Sequence, residues 1–307
     1  MHLNIVKNRN KYFIFSGILI LISIVSLAIW GLKPSIDFSG GALLEVEVKA
    51  EQKLAAPELS DKITNAWKDL GEVKVQPLGE SSFIIRTKHL SEDEHQNLLA
   101  QVASAHGLTK AELEEKRFET IGPVIGQELK TKAIWAIVIA SLAIIFYIAY
   151  SFRKISKPVA SWKYVLGAVL ALIHDILIVT GCFSIFGYFL GFEVDLLFIS
   201  ALLTILGFSV HDTIVVYDRT RENLIYNPQK TFEETVDKAI NDTMRRSINT
   251  SLTVFIVLLS LFLIGGESTK NFVLALMIGV VIGTYSSIFV ASTLLVVWYK
   301  LGLKIKK

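Results

Sequence analysis

Asp212 lies inside a long apolar run that begins near Asp195. An ionisable group in hydrocarbon is costly and by default marks a pathway for ions or substrate. Such an acid needs a partner or a proton. The best partner in the chain is Arg246, which opens a later apolar run and starts a polar face, Arg246, Asn249, Thr250, Thr253 and Ser260, at helical spacing. The run around Asp212 has a similar face in Ser200, Thr204, Gly207, His211 and Asp218, with Asp212 roughly 100° further round the helix. Burial disfavours a charged carboxylate and a nearby guanidinium favours it. An acid that alternates between those surroundings takes up and releases a proton. Asp212 is therefore expected to be a proton-relay group with Arg246 as its electrostatic gate. The competing reading is a static ion pair that fixes helix register.

His174-Asp175, in another apolar run, is a second candidate, because His titrates in the physiological range. Asp175 could join the relay or simply pair with a neighbouring helix. His211 reads as a packing or hydrogen-bonding residue. Two His-Asp pairs without a supporting Cys or third His make a metal site unexpected. The chain has no GxxxxGK[ST], GxSxG or HExxH pattern. Neither an ATPase nor a hydrolase is expected, and no cofactor; a proton gradient suits an intramembrane acid as the energy source.

The elements that must hold these residues are long and apolar. Hydrophobic residues make up 52% of the 307 and charged residues 19%, against about 25% charged in soluble domains. Mean hydropathy is +0.51. The net charge of +3 is too small to suggest nucleic acid. Cys182, the single cysteine, cannot form an intrachain disulfide and reads as packing. Six spans are expected: 12–31, 133–150, 165–188, 196–217, one near 246–264, and 272–298. The first reads as an uncleaved anchor, since Trp30-Gly31-Leu32-Lys33 lacks a small-residue cleavage pattern. Lys7, Arg9 and Lys11, then Arg153, Lys154, Lys157 and Lys163, then the cations between Arg219 and Arg246, then Lys300, Lys304, Lys306 and Lys307 all fall on one side, which is the inside. Thr231 and Glu234 suggest a capping box, and Phe232, Val236, Ala239 and Ile240 share one face. A short amphipathic helix near 231–244, lying on the membrane surface, is expected there. Gly279 and Gly283, with Ser286 and Ser287 a turn on, mark close helix contact, as do Gly167 and Ala171.

Residues 32–130 differ. Leu43–Lys49, Val73–Leu78, Phe83–Thr87 and Glu114–Ile121 read as strands, with Gly79-Glu80 turning the second into the third. Pro57–Leu70 and a helix capped by Ser91 and Glu94 fall between them. The order β-α-β-β-α-β is the ferredoxin-like pattern. The expected fold class is an α-helical polytopic membrane protein with six transmembrane helices and an α+β ferredoxin-like extracytoplasmic domain between the first and second. Its divisions are 1–31, 32–130 and 131–307.

Asp37-Phe38-Ser39-Gly40-Gly41, Gly122-Pro123-Val124-Ile125-Gly126, Val210-His211-Asp212 running on through Asp218, Arg219, Arg221 and Glu222 to Asn223, and Arg245–Ser251 together resemble the SecD/SecF family of bacterial protein-export membrane proteins. The likeness covers nearly the whole chain and is to the smaller, SecF-type member. It implies one six-helix half of a resistance–nodulation–division-type bundle, and a separate SecD supplying the other half. It implies a proton path between the halves, with Asp212 and Arg246 at the matching positions of the fourth and fifth helices. It further implies a bacterial inner membrane with both termini cytoplasmic, SecYEG as the channel served, YajC and YidC as neighbours, and unfolded exported polypeptide as the load. Two other classes stay open on the residues alone: a small-solute exporter, and a scaffold that is not energised.

Overall fold

The computed structural model describes residues 4–48, 54–67, 70, 73–78, 81–153, 158–226, 229 and 231–305. The expectations for Lys49, Gly79-Glu80, Lys154, Lys157, Lys230, Lys306 and Lys307 lie outside them. In chain order the helices and strands are α1 (Arg9–Ile29), α2 (Ile36–Ser39), β1 (Gly41–Val48), α3 (Ala56–Ala66), β2 (Lys74–Leu78), β3 (Ser82–Thr87), α4 (Glu92–Ala105), β4 (Leu113–Ile121), α5 (Pro123–Phe152), α6 (Ser161–Leu190), α7 (Leu196–Tyr226), α8 (Phe232–Ile264), α9 (Glu267–Tyr285) and α10 (Ser292–Ile305). A π-helical turn, Ser286–Ala291, joins the last two. The chain divides into two compact units, Pro34–Ala133 on the one hand and Met1–Lys33 with Ile134–Lys307 on the other.

The smaller unit is a two-layer α+β fold. Its sheet order is β2-β3-β1-β4 with every neighbouring pair antiparallel, the arrangement expected of a β-α-β-β-α-β chain. Strand β1 alternates strictly: Leu44, Val46 and Val48 are buried, while Leu43, Glu45 and Glu47 face the other way. The buried side meets Leu59 and Ile63 of α3 and Leu98 and Val102 of α4. Ser91 and Glu94 make both bonds of the capping box at the start of α4.

Among the described residues six helices are long and apolar enough to cross a membrane, α1, α5, α6, α7, α8, and α9 through α10 as one span. Small residues set how closely they approach. A methyl on Gly279 would lie 2.2 Å from Ile205 Cγ1, and one on Gly181 would lie 2.6 Å from the Ser23 backbone. Gly167 faces the Tyr217 hydroxyl. Trp30 stacks on Tyr188, 4.9 Å between rings, an aromatic pair of the kind that sits at headgroup depth.

Two expectations are corrected. α7 does not end at Tyr217; it runs to Tyr226, so Asp218, Arg219, Arg221 and Glu222 are helical rather than loop residues. The amphipathic stretch near 231–244 is not a separate surface helix. It is the first part of α8, which continues unbroken into the fifth span over 33 residues, roughly 50 Å against a hydrocarbon core of about 30 Å. Its face, Phe232, Val236 and Ile240, is buried in the bundle core with Tyr164 and Tyr217. Lipid is not what covers it. At its start the Thr231 hydroxyl accepts from the Glu234 N–H.

Candidate functional site

Asp212 projects from the middle of α7 and is 3% exposed. Its Oδ2 is buried and has no protein hydrogen-bond partner. Its polar neighbours are Ser247 of α8 and Thr284 of α9, and the charges acting on it are those of His211 and Arg246. Ser247 Oγ is likewise buried without a bonded partner. Thr284 is held in place: its hydroxyl donates to the Val280 carbonyl at 2.8 Å and meets Ser251 Oγ at 2.5 Å. Among the described residues no ion pair joins Asp212 to Arg246. A buried carboxylate without a counter-charge costs several kcal/mol. In this setting the group needs a proton or a closer cation.

Asp175, on α6, is in the opposite condition. It is 1% exposed and saturated. Oδ2 accepts from Ser209 of α7 at 2.5 Å and from Ser286 at 2.8 Å, while Oδ1 lies 2.8 Å from His174 Nδ1. The remaining His174 nitrogen, Nε2, is buried without a protein partner. The ring lies 6.3 Å from that of Tyr285, whose hydroxyl reaches the Tyr12 carbonyl of α1. Beside the Asp175 cluster lie further bonded hydroxyls. Ser287 Oγ meets Thr213 Oγ1 at 2.9 Å and the Ser209 carbonyl at 3.1 Å. These hydroxyls were not singled out by the sequence as site residues. Ser286 and Ser287 register there only as small residues, because the groups they bond lie on α6 and α7.

Arg246, Asn249, Thr250, Thr253 and Ser260 are exposed on the surface of this chain, as are Ser200, Thr204, Gly207, His211 and Asp218. The two polar faces thus do not point into this bundle. They lie on adjoining helices, α7 and α8, and stand open to whatever packs there.

The other residues singled out have structural work. In Asp37–Gly41, the Ser35 hydroxyl accepts from the Asp37 N–H, opening the short α2. Gly40 and Gly41 have φ of +72° and +131°, a region side chains avoid. A methyl on Gly40 would lie 2.9 Å from Pro123 Cα, and one on Gly126 would lie 3.0 Å from the Gly40 nitrogen. The two glycine motifs, 80 residues apart, are therefore halves of one backbone contact, with Pro123 at the first position of α5, where its missing N–H is harmless. Arg219 reaches Asp242 of α8 at 2.8 Å and Glu222 at 2.8 Å, and Arg221 reaches Asp218 at 3.4 Å. This cluster ties the end of α7 to α8.

Residues 101–301 match the family model described as protein export membrane protein SecD/SecF, C-terminal. The chain is 39% identical to protein translocase subunit SecF of Thermobaculum terrenum over 96% of this chain and 94% of that one. It is 39% identical to the Synechocystis subunit of the same name, over 98% and 95%. Among solved structures it is similar to SecDF, a translocon-associated membrane protein from Thermus thermophilus, with TM-score 0.81 and 29% identity, covering 98% of this chain and 39% of that longer one. SecDF in its super-membrane-facing form gives TM-score 0.69 at the same identity. With its six spans, its inserted α+β unit and these relatives, the chain belongs to the SecD/SecF family of protein-export membrane proteins, on its SecF side.

Proposed function

We propose that the chain is a non-enzymatic subunit of protein export that couples inward proton movement to late steps of polypeptide passage. In this reading it pairs with a SecD-type subunit as one half of a resistance–nodulation–division-type bundle and serves SecYEG, with YajC and YidC nearby. It lies in a bacterial inner membrane with both termini cytoplasmic, as the one-sided Lys and Arg argue. The α+β unit then faces outward, where unfolded polypeptide emerges. Asp212 carries the proton. Arg246 gates it by approaching the carboxylate in one state and leaving it in another. Asn249 and Thr250 line the same face.

The observation that carries this reading is the condition of Asp212: buried in a spanning helix, with an oxygen unpartnered, beside two open polar helix faces. A partner's second polar surface would enclose that acid in a wet seam. The test is proton flux into vesicles holding this chain and a SecD subunit. Flux stimulated by unfolded polypeptide and abolished by Asp212→Asn, with the complex still assembled, is the expected result. Full flux in Asp212→Asn refutes the relay. Flux stimulated by a small solute instead favours solute export, and no flux at all favours a scaffold.

A further inference from the structure

We propose that Asp175 is a positioning residue for Asp212, acting through the π-helical turn of the sixth span: its carboxylate draws in Ser286, and this sets where the preceding turn, with Thr284, rests against Asp212. The proposal rests on the relay reading of Asp212 above.

The last turn of α9 and the start of the π turn lie between the two acids. Gly283 and Ser286 face one of them. A methyl on Gly283 would lie 3.6 Å from Asp175 Oδ2, and Ser286 bonds that oxygen directly. Thr284 faces the other, beside Asp212 and Ser251. A rotation of this short segment therefore alters both surroundings together.

The hydroxyls in it can be re-aimed. Ser286 has one proton and two acceptors, Asp175 Oδ2 at 2.8 Å and the Gly283 carbonyl at 3.1 Å. Ser287 likewise reaches the Gly283 carbonyl at 2.8 Å and the Ser209 carbonyl at 3.1 Å. Asp175 Oδ2 draws the Ser286 proton to itself; with that acceptor removed, the Ser286 proton turns to the Gly283 carbonyl. The backbone can follow, because a π turn holds one more residue per hydrogen-bonded loop than the α-helix and interrupts its ladder. The far end of the turn is held at Ala291, whose carbonyl accepts from the Tyr217 hydroxyl at 3.1 Å.

The titratable groups facing Asp175 are His174 on its own helix and, across the His174 ring, Tyr285 of α9. Those facing Asp212 are His211 on its own helix and Arg246 of α8. From α1 the Tyr12 carbonyl and the Ser16 hydroxyl meet Tyr285, and the Tyr12 phenol, a titratable group, acts on Tyr285 as well.

The experiment is the pH profile of proton flux through the full chain reconstituted with SecD. Asp175→Asn and Ser286→Ala are each expected to displace the profile's midpoint by about one unit, tenfold in proton affinity. Their double variant should show that same displacement and no more, and Ser286→Thr should restore the original midpoint. A loss of amplitude with the midpoint unmoved, or displacements that add in the double variant, overturns the proposal. If Asp175→Asn does not assemble, Ser286→Ala, which keeps the backbone and removes one oxygen, decides alone. Asp212→Asn run alongside separates the two claims. Flux surviving there removes the relay and the positioning role with it, whereas flux lost there with an unmoved midpoint in Ser286→Ala removes only the positioning role.

Discussion

Tyr164 and Tyr217 pack edge to face, 5.2 Å apart, and both are fully buried, yet only one hydroxyl is used. Tyr217 donates to the Ala291 carbonyl, a group in the π turn. Tyr217→Phe should cost about 1 kcal/mol, because it strands a buried acceptor. The Tyr164 hydroxyl is buried without a protein partner. Tyr164→Phe should be neutral or stabilising, and denaturant unfolding of the purified chain in micelles reads both; equal losses would mean that the bond to the Ala291 carbonyl is not what distinguishes the two hydroxyls. Gly279 is sharper still. Its added methyl meets the branched Ile205 side chain, so Gly279→Ala should cost about 1–3 kcal/mol. Adding Ile205→Ala should recover part of that loss if this contact is the cause. Gly279 and Gly167 could be read from their spacing as contact points. Gly181, which lies against Ser23, could not, since the residues four positions either side of it are Leu177 and Ile185 and no small-xxx-small pair includes it. The same limit hid the Asp175 cluster: a sequence displays which residues are polar, but the acceptors of Ser209 and Ser286 are set by helix pairing.

Spans inferred from hydropathy stop where the first charges appear, and that is why α7 and α8 come out short. A helix does not end where hydrocarbon ends; its ladder continues in water if nothing interrupts it. No Gly or Pro lies within Asp218–Tyr226 or Phe232–Ile264, and Asp218/Arg221 and Arg219/Glu222 stand at the i, i+3 spacing that supports a helix. Those cues were present. The alternation of β1 and the capping box of α4 were legible because each is local, with a period of two residues in one case and a fixed offset of three in the other. That box also gives a pH prediction. The Ser91 backbone N–H, at 2.8 Å, and its hydroxyl, at 3.1 Å, hold the Glu94 carboxyl below its ordinary value. A folded-state value below the unfolded one stabilises above the unfolded value, about 4.3, and that contribution is lost as pH falls through the folded value. Amide exchange in the first turn of α4, corrected for intrinsic rate, should therefore rise below about pH 4. Glu94→Gln should flatten this dependence. An unchanged profile in that variant would show that Glu94 does not govern the cap.

At the scale of the molecule, the exposed surfaces of the spanning helices are of two chemical kinds. α1 presents Ile14, Ile18 and Leu21, each at least half exposed and wholly apolar, which is a surface suited to acyl chains. α7 and α8 present, beside exposed apolar residues such as Leu252, Ile256 and Val257, a polar stripe of Thr204, Gly207, His211, Arg246, Asn249 and Thr253. Polar side chains in a spanning segment face protein or water rather than lipid, so these two helices are where a second bundle should sit. A photoreactive phenylalanine analogue replacing Thr204 or Thr253 should then crosslink to a co-expressed SecD subunit, and one replacing Ile18 should not. The unsatisfied polar faces also predict the reverse dependence. Without that subunit the chain should unfold more readily in micelles, since binding that covers the folded state alone stabilises it by mass action. Replacing Thr204 and Thr253 together with Leu should weaken assembly while making the lone chain more tolerant of lipid. Crosslinks of equal yield at Ile18 and Thr253 would mean that the partner is not recognised by polarity, and the enclosed seam around Asp212 would lose its physical basis.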